Sequence, residues 1–357
     1  MKHPSPFAYT MPAEWEPHEA VWLSWPHDPI SFPMLEEAED EYAAFVAEAS
    51  SSERVELRVL DEVMQARVEK KLAARGVDTS LEASSARVRL HRGDYADIWF
   101  RDYGPIFVRD ERVRDQQHAN KLAMVKWIFN AWGGKYETLK KDDRTAYRIR
   151  ELLRLPLLEP GIVMEGGSIE VNGRGTLLTT EQCLLNPNRN PTLSRSEIER
   201  FLADYLGVRH FIWLKEGIEG DDTDGHIDDI ARFVNPTTVV CALTDDPSDP
   251  DNAPLRENFA RLTASSDQDG RKLNVVPLPT PGFVGDDEGR LPASYANFYI
   301  SNAKVLVPIF GQPNDAKAVE VIQALFPDRK TVGLMAKHLV YGLGTFHCMS
   351  QQQPAVK

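Results

Sequence analysis

An α/β protein assembled from repeated strand–helix units is the fold class this sequence predicts, and three observations predict it. Amphipathic helical stretches alternate with β-rich ones along the chain. A weak motif recurs, consisting of a polar residue, a strand, an Asn turn, a returning apolar strand and then a helix. No long stretch is free of apolar anchors, which argues against global disorder.

Apolar residues at helical spacing predict helices over 34–51, 62–75, 144–155, 194–206, 255–265 and 315–325. Ser194 with Glu197 fits a capping box at one start, and Gly207 fits the stop of the same helix. The β-rich stretches are 55–60, 88–90, 106–108, 169–179, 230–243, 298–308 and 331–334. The recurring motif runs through three of them. Glu165 precedes a strand that turns at Asn172-Gly173, Asp228 one that turns at Asn235-Pro236, and Asn297 one that turns at Asn302-Ala303. A recurrence of roughly 60–70 residues implies stacked supersecondary units rather than two unrelated domains. If each unit starts with its polar residue at the same strand end, Glu165, Asp228 and Asn297 face one cavity. Asp102, just before the strand 106–108, holds a similar place in an earlier unit.

The formal net charge of −13 repels phosphate backbones and mildly attracts small cations. The three cysteines, Cys183, Cys241 and Cys348, are widely spaced and form no CxxC pair, so neither a disulfide framework nor a zinc knuckle is indicated. The N-terminus MKHPSPFAYTMPAEWEP has no apolar signal core, and no membrane-length apolar run occurs. A cytoplasmic location, with no nucleic-acid or membrane partner, is the resulting expectation.

The segment 217–229 holds five Asp, one Glu and a His. An EF-hand register with Gly225 at the sixth position puts Ala231 where a carboxylate is required, and that reading fails. A His226/Asp228 metal site lacks an HxH or HExxH partner, so no metal is expected. On a strand, residues two apart share a face, which would set His226 as an acid/base beside the Asp228 carboxylate. In 97–105, Arg101 and Asp102 sit among aromatics. A core strand with a salt-bridged Arg101 and a cation pocket built from Trp99 and Asp102 both fit. Two glycines follow Glu165 and suggest a tight backbone path beside a ligand. Cys348 lies in Gly342–Pro354 among Gly, Thr, His, Ser and Gln, an unusual setting for a core cysteine, and its preceding glycines would let substrate approach closely. A thiolate beside a bound cation and a His is a nucleophile. Cys183 and Cys241 lie in apolar sequence and read as core.

Together, MPAEWEPHEAVWLSWP (11–26), IWFRDYGP, FNAWGGKY (129–136), EGGSIEVNGRGTLLTT, NPNRNP, GDDTDGHIDDIARFV, YANFYISNAKVLVP and the HCMSQQQP tail resemble the agmatine deiminase and bacterial-type peptidylarginine deiminase family, in order and over nearly the whole chain. The resemblance implies one catalytic domain over 1–357 with the pentein fold, a propeller of five ββαβ units around a pseudo-fivefold axis. It implies Cys348 as nucleophile, His226 as general acid/base, and Asp102 and Asp228 gripping a guanidinium. Glu165 would contact its nitrogens or orient His226, Trp99 would line the pocket, and Asn297 would sit near the thiolate. It implies no metal, no organic cofactor and a small guanidine as partner, and it admits a homo-oligomer. Agmatine, an amine without a carboxylate, suits an acidic pocket mouth. Arginine or peptidyl-arginine is the alternative and needs a cation, for which Lys126 is a candidate. One departure is the tail Gly-Leu-Gly-Thr, where agmatine enzymes usually carry Gly-Gly-Gly-Asn.

Overall fold

The computed structural model describes residues 9–79, 87–110 and 121–356. Residues 1–8, part of the N-terminus where no signal core was expected, lie outside them.

Five sheets share one plan, an antiparallel pair extended by a parallel strand. In the third sheet Glu170–Val171 pairs antiparallel with Thr176–Thr180, which pairs parallel with His210–Leu214. The fourth repeats this with Ala231–Asn235, Thr238–Leu243 and Asn274–Pro279, and the fifth with Tyr299–Ile300, Lys304–Ile309 and Lys330–Met335. The second has Ile106–Asp110, Leu122–Val125 and Leu157–Leu158, with Tyr9–Thr10 added at its edge. The first is closed by the end of the chain. Gln351–Pro354 pairs antiparallel with His18–Ser24, which continues in parallel to Arg54–Val59 and Val88–Arg92.

Each parallel step needs a crossover, and a helix supplies it in every sheet: Leu35–Ser50, Thr145–Leu153, Arg195–Leu206, Asn252–Ala264 and Asp315–Leu325. The expected capping box is present, with Glu197 accepting the Ser194 N–H at 2.8 Å, and Gly207 ends that helix at φ +69°. The additional helix Glu62–Ala73 is N-capped by Asp61, which accepts the Met64 N–H at 2.8 Å.

The β-rich stretches 169–179, 230–243 and 298–308 are each a hairpin that turns at the expected Asn. The strands His18–Ser24, Leu122–Val125, His210–Leu214, Asn274–Pro279 and Gln351–Pro354 were not foreseen. Ser24 and the run Val21–Leu23 are almost fully buried, so His18–Ser24 lacks the alternation that marks a half-exposed strand. Gln351–Pro354 is polar yet buried because its amides are used. Gln353 Oε1 accepts the Trp22 indole N–H at 2.9 Å, and Gln352 Oε1 accepts Arg101 at 2.8 Å.

One expectation fails outright. His226 and Asp228 are not two apart on a strand; Ile227–Asp229 is a 3-10 turn that His226 caps, ahead of Ala231–Asn235. Among the described residues, no helix is long and apolar enough to cross a membrane.

Candidate active site

The first strand of each antiparallel pair is entered from a polar or nucleophilic residue. Cys348 precedes Gln351–Pro354, Asp102 precedes Ile106–Asp110, Glu165 precedes Glu170–Val171, Asp228 precedes Ala231–Asn235, and Asn297 precedes Tyr299–Ile300. All five are buried. Of the five, Cys348 and Asp102 line the cavity described below, whereas Glu165, Asp228 and Asn297 are buried behind its lining.

Cys348 Sγ accepts a hydrogen bond from Asn297 Nδ2 at 2.9 Å and lies 3.6 Å from Asp228 Oδ2. Asn297 is itself fixed. Its Nδ2 also donates to Asp229 Oδ1 at 2.9 Å, while its Oδ1 accepts Thr345 Oγ1 at 2.9 Å and the His347 N–H at 3.0 Å. The His347 ring bridges Asp228 Oδ2, 2.7 Å away, and Glu14 Oε2, 3.0 Å away. Burial works against ionised Asp228, but the hydrogen bond and charge of His347 bring its carboxyl below the usual range. Burial pushes the Cys348 thiol up, and the Asp228, Asp229 and Asp102 carboxylates reinforce this, so the free site favours the neutral thiol.

His226 is fully buried, and neither ring nitrogen has a hydrogen-bond partner among the described residues. Burial lowers its pKa to about 3, so the imidazole is neutral at ordinary pH. Its Nδ1 lies 3.8 Å from Asp102 Oδ1. Asp102 is oriented by the Gly167 N–H on Oδ1 and the Trp132 indole N–H on Oδ2, both at 2.9 Å. Burial raises its pKa well above the usual value, and Asp228 and Glu165 add to the shift. A Cβ on Gly167 would lie 2.5 Å from His226 Nδ1 and 2.9 Å from Asp102 Oδ1, so glycine is required there. Glu165 Oε1 accepts the Arg189 Nε–H at 2.7 Å, and Oε2 has no partner among the described residues. Most of the acidic loop 217–229 is buried or half-buried. Asp221 Oδ2 braces it by accepting the Gly225 and His226 N–H groups at 3.0 and 3.1 Å.

Cys348, Asp102, Trp99 and Trp132 line a cavity of about 320 Å³ that also takes in Asp28, Asp97, Asp222, Tyr136, Tyr341 and Leu343. No Lys or Arg is among the described residues lining it. Burial raises the Asp97 carboxyl to about 7. Lys126, the candidate cation for the alternative arginine substrate, is bound to Asp143 at 2.7 Å and does not line the cavity. The glycines before Cys348 lie against the pocket wall. They make room for Trp99, since a Cβ on Gly344 would lie 2.7 Å from its ring. Leu343, between them, is held at φ +72°. The core strand expected around Arg101 is a short helix instead, Phe100–Tyr103, but the arginine is buried and paired as its structural reading expected: Nε donates to the His347 carbonyl at 3.2 Å, and NH2 lies 4.0 Å from Glu14.

His347, Trp132, Arg189, Asp229 and Glu14 were not singled out in the sequence, although each lies within a stretch that carried the resemblance. Nothing local to them signalled a site, because their partners are remote in sequence. Cys183, read as a core cysteine, is fully buried, but its sulfur, a Glu165 oxygen and a His226 nitrogen lie within 4.8 Å of one another.

Fold and site together define an α/β protein of five like sheets that brings a cysteine and a group of carboxylates to one acidic cavity, with a buried neutral histidine beside Asp102. The chain belongs to the Porphyromonas-type peptidyl-arginine deiminase family, whose model matches residues 10–354. It is 39% identical to the agmatine deiminase of Stutzerimonas stutzeri, over 97% of this chain and 96% of that one. The solved agmatine deiminase of Enterococcus faecalis superposes with a TM-score of 0.88 at 33% identity, covering 99% of this chain and 98% of that one. A cysteine-to-serine variant of C. jejuni agmatine deiminase, solved with substrate bound, gives 0.84 at 29% identity, covering 97% and 96%.

Proposed function

We propose that this chain is a C–N hydrolase that converts agmatine to N-carbamoylputrescine and ammonia through a covalent S-alkylthiouronium on Cys348. The observation that carries the reading is the position of the Cys348 sulfur in a cavity lined by Asp28, Asp97, Asp102 and Asp222 and, among the described residues, by no cation. A guanidinium at one end and an amine at the other match that lining, whereas the carboxylate of free arginine would meet like charge. The relatives named agmatine deiminase, one of them solved with its substrate, support the same choice.

A guanidinium is a resonance-stabilised and poor electrophile. Asp102 and Asp228 hold it flat beside the sulfur, which makes the attack local. Its positive charge offsets the carboxylates that keep Cys348 protonated, so binding of substrate itself favours the thiolate. Neutral His226 accepts the thiol proton and passes it to the departing ammonia. Water, deprotonated by the same ring, adds to the thiouronium carbon and expels the thiolate, leaving the ureido product. Glu165, clamped by Arg189, orients His226 or meets the guanidinium nitrogens. Trp99 walls the pocket, and Asn297 donates to the sulfur. No metal or organic cofactor takes part in these steps.

Five sheets of one plan, each entered from one of these residues, support a pentein propeller formed as one domain with the site on its pseudo-fivefold axis. Three unpaired cysteines suit the reducing cytoplasm. The test is ammonia release from agmatine, arginine and a peptidyl-arginine, each with wild type and Cys348→Ala. Agmatine turnover that drops about 10³-fold or more in the variant is expected. Full activity in Cys348→Ala would sink the mechanism, and turnover of arginine peptides but not agmatine would overturn the substrate.

A further inference from the structure

A ligand set lies behind the cavity that the hydrolytic reaction does not use in full. Cys183 is fully buried, as are Glu165 and His226, and one donor atom from each lies within 4.8 Å of the other two. These donors are poorly satisfied. Glu165 Oε2 and both ring nitrogens of His226 have no hydrogen-bond partner among the described residues, although buried groups of this kind normally find one. The second such cluster, Asp228, Asp229 and Cys348, is more occupied. His347 takes Asp228 Oδ2, and Asn297 takes both Asp229 Oδ1 and the Cys348 sulfur.

The local backbone fixes Cys183 beside His226. Thr180 caps the short helix Glu181–Leu184, its Oγ1 accepting the Cys183 N–H at 3.2 Å and donating to the Gly225 carbonyl, just before His226, at 2.6 Å. Arg189 holds Glu165 from the other side, through Oε1 only.

We propose that Glu165, Cys183 and His226 form an inhibitory site for a thiophilic divalent cation such as zinc or cadmium. One thiolate, one imidazole and one carboxylate are the donor types such ions accept, with a fourth position left open. Ligand atoms around tetrahedral zinc lie about 3.5 Å apart, so closure requires an inward shift of about 1 Å at most. Cys183 releases its thiol proton to solvent as the sulfur–metal bond forms, His226 and Glu165 give lone pairs, and no electron is transferred. The buried carboxylates Asp102 and Asp228 favour any cation that arrives. The ion enters through the cavity that Asp102 lines, and a metal-bound His226 can no longer move a proton. The inhibition rests on the hydrolase reading above; the binding does not.

Cadmium is the probe, followed by its thiolate charge-transfer absorbance in wild type, Cys348→Ala, Cys183→Ala and Cys183→Ser, with circular dichroism as the check on folding. The expected result is a signal in wild type and Cys348→Ala that both Cys183 variants lack, with Cys241 present throughout as an internal control. Wild-type ammonia release should be lost with cadmium, return with chelator and be protected by agmatine, while Cys183→Ala turns over unaffected. A signal that survives in Cys183→Ala, or no signal in any variant, overturns the site. A Cys183-dependent signal without loss of turnover overturns the inhibition. A Cys183-dependent signal in a protein that hydrolyses no guanidine supports the metal site and sinks the hydrolase reading instead.

Discussion

Two buried networks of carboxylates lie side by side in this molecule, and they differ in how they are neutralised. In one, Glu14 contacts Arg232 and His347 and lies near Arg101, while Arg232 also bonds Glu170 at 3.0 Å. Burial opposes ionisation of Glu14, yet Arg232, His347 and Arg101 hold its carboxyl well below the usual range. In the other, Asp102 has, among the described residues, only neutral donors as hydrogen-bond partners, and burial moves its carboxyl well upward, with its acidic neighbours Asp228 and Glu165 adding to the shift. Burial of acid therefore does not mark the site. A shortage of positive charge does, and a cationic substrate supplies what is missing. His347 joins the two networks, with Glu14 on one ring nitrogen and Asp228 on the other.

The sharpest way to break this contrast is Asp228→Asn, which removes the carboxylate facing both Cys348 and His347. Agmatine kcat/KM should fall about 10³-fold with the protein still folded, as steady-state ammonia release would show. Glu14→Gln attacks the satisfied network instead. It leaves Arg232 and Arg101 undercompensated and should cost about 3 kcal/mol in urea denaturation. A pH-dependent effect comes from His226. Its folded pKa of about 3 lies below the unfolded value of 6.5, so its contribution is intact above pH 6.5. As pH falls from 6.5 toward 3, the unfolded chain takes up a proton that the folded chain refuses, and stability declines by at most about 1.4 kcal/mol per pH unit. His226→Gln should flatten that part of the profile; an unchanged slope would show that the ring is not held neutral. The smallest effect lies outside both networks. Leu343→Gly releases a side chain from φ +72° and should stabilise the protein by about 1 kcal/mol, read as a raised urea midpoint.

The sequence by itself determined the alternation of strands and helices, the Asn-turn hairpins and the candidate residues Cys348, His226, Asp228, Glu165, Asp102, Trp99 and Asn297. These were legible because periodicity, turn chemistry and residue type are local properties, and because each unit repeats the same order of residues. Only the tertiary structure decided that Gln351–Pro354 closes the first sheet and so brings Cys348 into the same site as residues from the other four. It also decided that His347 bridges Asp228 and Glu14, that Trp132 and Gly167 orient Asp102, and that Lys126 is turned to Asp143. Contacts of this kind join residues far apart in the chain, and the charge of a buried carboxyl depends on whichever neighbours the fold sets beside it. Neither has a local signature.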